Sequence, residues 1–204
     1  ENPVASLNRL DAFDLLKSID PSIQYTRKMK AHFDSARKVL AWHDLLFAPE
    51  TCRKWVVYFL ILIRHAGEEN AEAICRRFEL APKHRKIFLR ERNAAEECLA
   101  RLHRNGQLKN HLLYRALKDF RIELILYMMA LAANENVVKA ISFFVTDLRH
   151  TRLHVSGKDL QALGLSPSPM FGRILSAVMD AKLNGELKTR QDECDFLKNY
   201  VDGL

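Results

Sequence analysis

Apolar residues in this chain recur every three or four positions almost from end to end, and residues able to interrupt that rhythm are scarce. Its 204 residues include 7 Gly and 6 Pro. A sandwich or barrel of many short strands needs a turn signal about every 8–12 residues, so an all-β fold is excluded and an all-α fold is expected. The longest apolar runs, 55–63 and 124–133, fall short of the roughly 18–20 residues that a membrane span requires. They predict buried core helices, and no membrane partner is expected.

The pattern predicts the helices one by one. Leu7, Leu10, Phe13, Leu15 and Leu16 form the apolar face of a first helix that Asp20-Pro21 closes, because proline discourages helix continuation. Met29, Phe33, Ala36, Val39, Leu40 and His43 mark a second, from about 23 to 47, ended by Pro49. Thr51 is the expected N-cap of the apolar helix through 63, and a short helix from about 70 to 79 follows. Pro82 suits the first turn of a long charged helix whose seam is Ile87, Phe88, Ala94, Ala95, Cys98 and Leu102, with Asn105-Gly106 as terminator. Further helices are expected over 109–118, 121–133 and 135–149. A change of character near 150–156 separates a small helical tail, 151–204, from a helical body, 23–150, which the first helical segment, 1–22, precedes.

Charge is distributed unevenly. Residues 1–50 carry 7 basic and 7 acidic side chains, whereas 51–110 carry 13 basic and 7 acidic, which is nearly the whole surplus of +7. Lys83, Lys86 and Arg90 recur at helical spacing on one face, with Arg76, Arg77 and Arg85 close in sequence. Such a stripe suits phosphates, since each neutralised phosphate releases condensed counterions. The alternative is a solvated face balanced by Glu91, Glu96 and Glu97.

The tail opens with two helix starts. Arg149, His150, Arg152 and His154 lead into Ser-Gly-Lys-Asp at 156–159, where Ser156 and Asp159 have the spacing of a capping box. Gly157 leaves backbone uncovered and Lys158 adds charge, so this start could also hold a phosphate. Ser168 and Pro169 then form a second start, with Arg173 and a Gly172 that would allow close approach one turn in. Catalytic signals are weak. His43-Asp44 is the dipeptide of metal-dependent phosphohydrolases but lacks partner ligands of the expected kind, no G-x-S-x-G occurs, and the four cysteines form no C-x-x-C pair. Neither a catalytic residue nor a metal site is assigned, and the cysteines are expected to be reduced core thiols of a cytoplasmic protein.

The string His-Val-Ser-Gly-Lys-Asp-Leu-Gln-Ala-Leu-Gly-Leu-Ser-Pro-Ser-Pro-Met-Phe-Gly-Arg-Ile-Leu at 154–175, with Asp-Ala-Lys-Leu-Asn-Gly-Glu-Leu at 180–187, resembles the C-terminal tail of class II bacterial tRNA nucleotidyltransferases and poly(A) polymerases. That family shows a G-x-D-L segment, a Leu-Gly, a proline-rich turn, a Gly, an Ile-Leu and a closing Gly-Glu-Leu. Residues 2–21 are similar, more loosely, to the segment where the family's neck passes into its body. Ser168 stands where the family usually has glycine, and Ser166 where lysine often sits.

The resemblance implies a division of labour. The family's catalytic head carries Gly-Ser and D-x-D motifs whose aspartates hold Mg²⁺, and its neck an E-D-x-x-R motif that reads ATP or CTP. No such motif occurs here, so they are expected before residue 1, as the start at Glu1 rather than a methionine also suggests. The chain itself is expected to need no cofactor and to grip tRNA or other structured RNA by backbone shape, next to its own N-terminal head and with a homodimer left open. Arg76, Arg77, Lys83, Arg85, Lys86, Arg90, Arg152, Gly157, Lys158, Ser168 and Arg173 are the expected RNA contacts. A helical protein-interaction domain and a degenerate metal phosphohydrolase are the alternatives.

Overall fold

A computed structural model describes residues 3–21, 23, 25–106 and 108–203, the side chain of Lys83 excepted. Among the described residues there is no strand, and the all-α expectation holds. The helices are α1 (Pro3–Ala12), α2 (Leu15–Ile19), α3 (Arg27–Leu45), α4 (Lys54–Leu62), α5 (Glu68–Arg77), α6 (Pro82–Lys86), α7 (Arg92–Asn105), α8 (Asn110–Leu117), α9 (Ile122–Leu131), α10 (Glu135–Thr146), α11 (Gly157–Ala162), α12 (Pro169–Leu183) and α13 (Arg190–Asp202). They fall into two compact units, one of residues 1–106 and 120–141, the other of 107–119 and 142–204. The expected tail thus lies inside the second unit, which also takes in 107–119 and 142–150.

The first unit is built around α9, all ten of whose residues are buried. A helix apolar on every side can be satisfied only by being surrounded, and α3, α4 and α7 pack against it. At its start the buried Glu123 accepts the Arg53 amide (3.4 Å). That bond, made across 70 positions, moves the start of α4: Arg53 rather than Thr51 occupies the N-cap position. The first predicted helix is also divided, because Asp14 adopts a left-handed conformation (φ 55°) between α1 and α2. Thr26 caps α3 by accepting the Met29 amide at 3.2 Å, and the face it buries is the predicted one, His43 included.

The long charged helix is continuous from Pro82 to Asn105 but is widened by a π turn over Ile87–Glu91, a local insertion of one extra residue per turn. Its seam contains Arg92, while Ala94, assigned to the seam from sequence, is exposed. The Arg92 guanidinium donates to the carbonyls of Ile63 (2.5 Å) and Ala66 (3.2 Å), satisfying acceptors beyond the end of α4. Gly106 ends the helix at φ 62°, ψ −134°, a region closed to residues with a Cβ.

In the second unit α12 packs against α8, α11 and α13. Its core is Val155, Leu160, Ile174, Val178 and Leu197, bordered by Leu153, Leu165, Phe171 and Phe196. Arg115 of α8 pairs with Asp180 of α12, Asn110 donates to the Leu183 carbonyl (2.9 Å), and the His111 ring meets Asn184 (2.9 Å).

Candidate nucleic-acid interface

The predicted basic stripe is assembled by α5, α6 and the π turn, and the structure gives most of its members local partners. Arg76 pairs with Glu72 one turn back (3.7 Å), Arg77 donates to the Ile19 carbonyl (3.0 Å) and Arg85 to the Leu80 carbonyl (2.8 Å). Lys86 lies 3.8 Å from Glu91, which also accepts Arg121 at 2.8 Å. Arg90 is exposed and has no ion pair among the described residues. The Lys83 side chain lies outside the described residues. The charge surplus of 51–110 is therefore partly structural: Arg92 is buried, and Arg64 sits between His32 (3.1 Å) and Glu96 (3.9 Å). Burial, reinforced by the adjacent Arg64, holds the His32 ring below the usual histidine range.

The two tail starts differ from one another. At α11 the capping box forms as expected. Asp159 accepts the Ser156 amide (2.7 Å) and Ser156 Oγ accepts the Lys158 amide (3.3 Å), so the helix start is closed by its own side chains. Asp159 is held below the ordinary carboxylate range by the Ser156 amide and hydroxyl, with Arg190 adding to the effect at 3.5 Å. At α12, Ser168 has N-cap backbone geometry, but its hydroxyl makes no cap bond, contrary to the capping role expected of it. Close approach occurs at Gly157 and not at Gly172. A Cβ on Gly157 would lie 3.3 Å from the Phe171 ring, whereas one on Gly172 would meet nothing.

Phe171 against Gly157 brings the two starts together, placing Gly157 near the first turn of α12, with Ser168 at its N-cap and Arg173 one turn in. Lys158 and Arg173 are exposed and free of ion pairs among the described residues. Arg152 folds back onto the carbonyls of Arg149 (3.2 Å) and Thr151 (3.0 Å). Beneath this surface lies Glu193, fully buried, which sequence reasoning missed. It accepts the amides of His154 (2.7 Å) and Val155 (3.1 Å), Lys182 Nζ (2.5 Å), and contacts the His154 ring (3.0 Å). Burial alone would push this carboxyl up, but the Lys182 ammonium and the two amides outweigh it and hold the group below the usual glutamate range. The segment entering α11 is thereby anchored to α12 and α13. A faint signal existed, since Glu193 stands one turn before Leu197 on the buried face of α13.

The His43-Asp44 dipeptide lies near the end of α3, with His43 buried. Asp44 pairs with Lys54 (2.5 Å), and among the described residues no three His, Cys, Asp or Glu side chains gather as a metal site would require.

In fold, the chain is similar to parts of several solved CCA-adding enzymes. A Thermotoga maritima CCA-adding enzyme complexed with tRNA matches 98% of this chain with 48% of its own, at a TM-score of 0.75 and 17% identity. A CCA-adding enzyme in complex with ATP matches all of this chain with 47% of its own, at a TM-score of 0.72 and 18% identity. In sequence, 98% of the chain is 32% identical to part of the A-adding tRNA nucleotidyltransferase of Geobacter sulfurreducens. No family model matches the chain. The resemblance to tRNA nucleotidyltransferases read from the sequence therefore holds. The chain spans about half the length of those solved structures and 23% of the curated relative.

Proposed function

We propose that this chain is the RNA-gripping C-terminal region of a tRNA nucleotidyltransferase or poly(A) polymerase-like protein, whose nucleotide addition to RNA 3′ ends is catalysed by an N-terminal head. The observation that carries this reading is 32% identity sustained over 98% of the chain to an A-adding enzyme. In such a protein the head would hold Mg²⁺ with ATP or CTP. The helical region would bind the tRNA acceptor end through its backbone, because duplex RNA presents phosphates and 2′-hydroxyls more readily than base edges. Location in the cytoplasm follows from that role and accords with the lack, among the described residues, of any helix long and apolar enough to cross a membrane.

Two sets of contacts are assigned to the RNA, each within its own unit: in the second, the pair of tail helix starts with Gly157, Lys158, Ser168 and Arg173; in the first, Arg90. Lys158, Arg173 and Arg90 are exposed cations that no carboxylate occupies among the described residues. Arg76, Lys86 and Arg152 are secondary contacts that would exchange a weak local partner for a phosphate. Arg77 and Arg85 would contribute through charge alone, their guanidiniums being engaged with carbonyls. Lys83 completes the assigned set on sequence grounds.

Filter binding with a tRNA transcript, repeated across a salt series, tests the assignment. The expected result is log–linear weakening with salt. Each of Lys158→Ala, Arg173→Ala and Arg90→Ala should lower the slope by about one phosphate equivalent and weaken binding to all duplex RNAs alike. Absence of tRNA binding at low salt would overturn the proposal. Sedimentation of the same samples decides the question of a homodimer.

A further inference from the structure

One surface of the first unit, which borders Arg76, carries aromatic rings that phosphate contacts alone leave unexplained. Trp55, 42% exposed in the first turn of α4, meets the rings of Phe59 (6.4 Å) and His84 (5.2 Å) edge-on. Phe59 in turn meets Phe78 (5.6 Å), which caps α5 and is 45% exposed. Phe88, wholly buried in the π turn, supports both Trp55 (5.9 Å) and Phe59 (4.8 Å) from below. Two open aromatic rings are thus held in place by two others, and they do not depend on a flexible loop for their orientation.

The charge around these rings favours an anionic occupant. Arg53 is exposed, its guanidinium 2.9 Å from His84 Nε2, and Arg76 and Arg77 directly precede Phe78 in the chain. The carboxylates nearby are Glu50, Glu79, exposed at φ 50°, Glu72, paired with Arg76, Asp44, paired with Lys54, Glu91, paired with Arg121, and the buried Glu123, so most of them are already engaged. An apolar protein partner would gain nothing from this setting, whereas a nucleic-acid strand supplies both phosphates for the cations and flat bases for the rings.

We propose that Trp55 and Phe78 form a stacking platform for unpaired bases of a single-stranded RNA segment whose phosphates lie against Arg53 and Arg76. The inference rests on the RNA-binding reading and extends it from paired to unpaired RNA. Stacking is tolerant of sequence, because every base has a π face, so the platform would accept a strand without reading it.

The chain has two tryptophans, so a Trp42→Phe background leaves Trp55 as the reporter. The full chain is titrated at low salt with an unstructured RNA of about eight nucleotides and with a fully paired RNA hairpin. The expected result is that the single strand quenches Trp55 emission. In filter binding of the same two RNAs, Trp55→Ala, and separately Phe78→Leu, should weaken single-strand binding on the order of tenfold for the first and less for the second, with hairpin affinity unchanged. Hairpin binding accompanied by unquenched Trp55 and no effect of either variant overturns the platform and leaves the RNA reading intact. Failure to bind either RNA overturns both. A wild-type dimer that Trp55→Ala dissociates assigns the surface to a second copy and likewise overturns the platform.

Discussion

Glu193→Gln tests the buried anchor of the tail with almost no change in volume. Oε2 accepts two backbone amides while Oε1 accepts Lys182 and contacts the His154 ring. An amide in place of the carboxylate must turn its NH₂ toward donors on one side or the other, and it leaves the Lys182 ammonium, 14% exposed, without a counter-charge. An exposed ion pair contributes about 0–1 kcal/mol. Removing one partner of a buried pair costs about 3–5 kcal/mol, because the other charge stays behind uncompensated. The second value applies here. Urea denaturation of the full chain at pH 7, followed by far-ultraviolet circular dichroism, should show a loss of about that size. Lys182→Met in the same background should restore part of it, giving a coupling of about 1–3 kcal/mol.

The pH dependence gives an independent check. The Glu193 carboxyl is lower in the folded chain than in the unfolded one. Its contribution is therefore complete above the ordinary glutamate range and disappears as the pH falls through its depressed folded value. The difference between wild type and Glu193→Gln should accordingly shrink on acidification. A loss below about 1 kcal/mol at pH 7, or a difference that does not change with pH, would refute the reasoning.

Other substitutions probe the first unit. Arg92→Met should destabilise by about 2–4 kcal/mol in the same denaturation assay, because the carbonyls of Ile63 and Ala66 lose a buried charged donor. Gly106→Ala should cost about 1–3 kcal/mol through backbone strain at φ 62°, ψ −134°. Gly67→Ala, at φ −58° with open space around the added carbon, should be nearly neutral by comparison. Burial, then the nearby carboxylates of Glu123 and Asp44, push the Cys52 thiol up to about 12, and burial also raises Cys75 and Cys98. A disulfide reagent at pH 7 should therefore label these three slowly in the native chain and rapidly in denaturant, since only the thiolate reacts. Fast native labelling of Cys52 would contradict its placement.

Local chemistry was legible in the sequence and long-range chemistry was not. The face of α3, the start at Pro82, the stop at Gly106 and the Ser156–Asp159 box all follow from residues within a turn or two of one another. The left-handed Asp14 and the π turn at Ile87–Glu91 leave the apolar rhythm nearly unchanged, so periodicity cannot detect them. Arg92 and Glu193 are buried because of partners far along the chain, Ile63 in one case and His154 in the other. Their sequence trace is a charge standing at an apolar position, Arg92 four residues after Phe88 and three before Ala95. The basic stripe shows the same limit from the opposite side. Counting cations located the surplus, but only geometry separated Arg90, open to solvent, from Arg77 and Arg85, whose guanidiniums donate to backbone carbonyls.

The make-up of the second unit governs how this protein can be taken apart. Because α8 lies in it while α9 belongs to the first, a chain begun near residue 142 would leave α12 without Arg115, Asn110 and His111 and without α8 packed against it. The shortest continuous stretch containing every piece of the unit begins near 107 and carries 120–141 as an apolar passenger. Limited proteolysis that cuts before 107 and on both sides of 120–141 should therefore release the second unit as two fragments that remain associated until denatured, and recombinant truncations begun after α9 should aggregate.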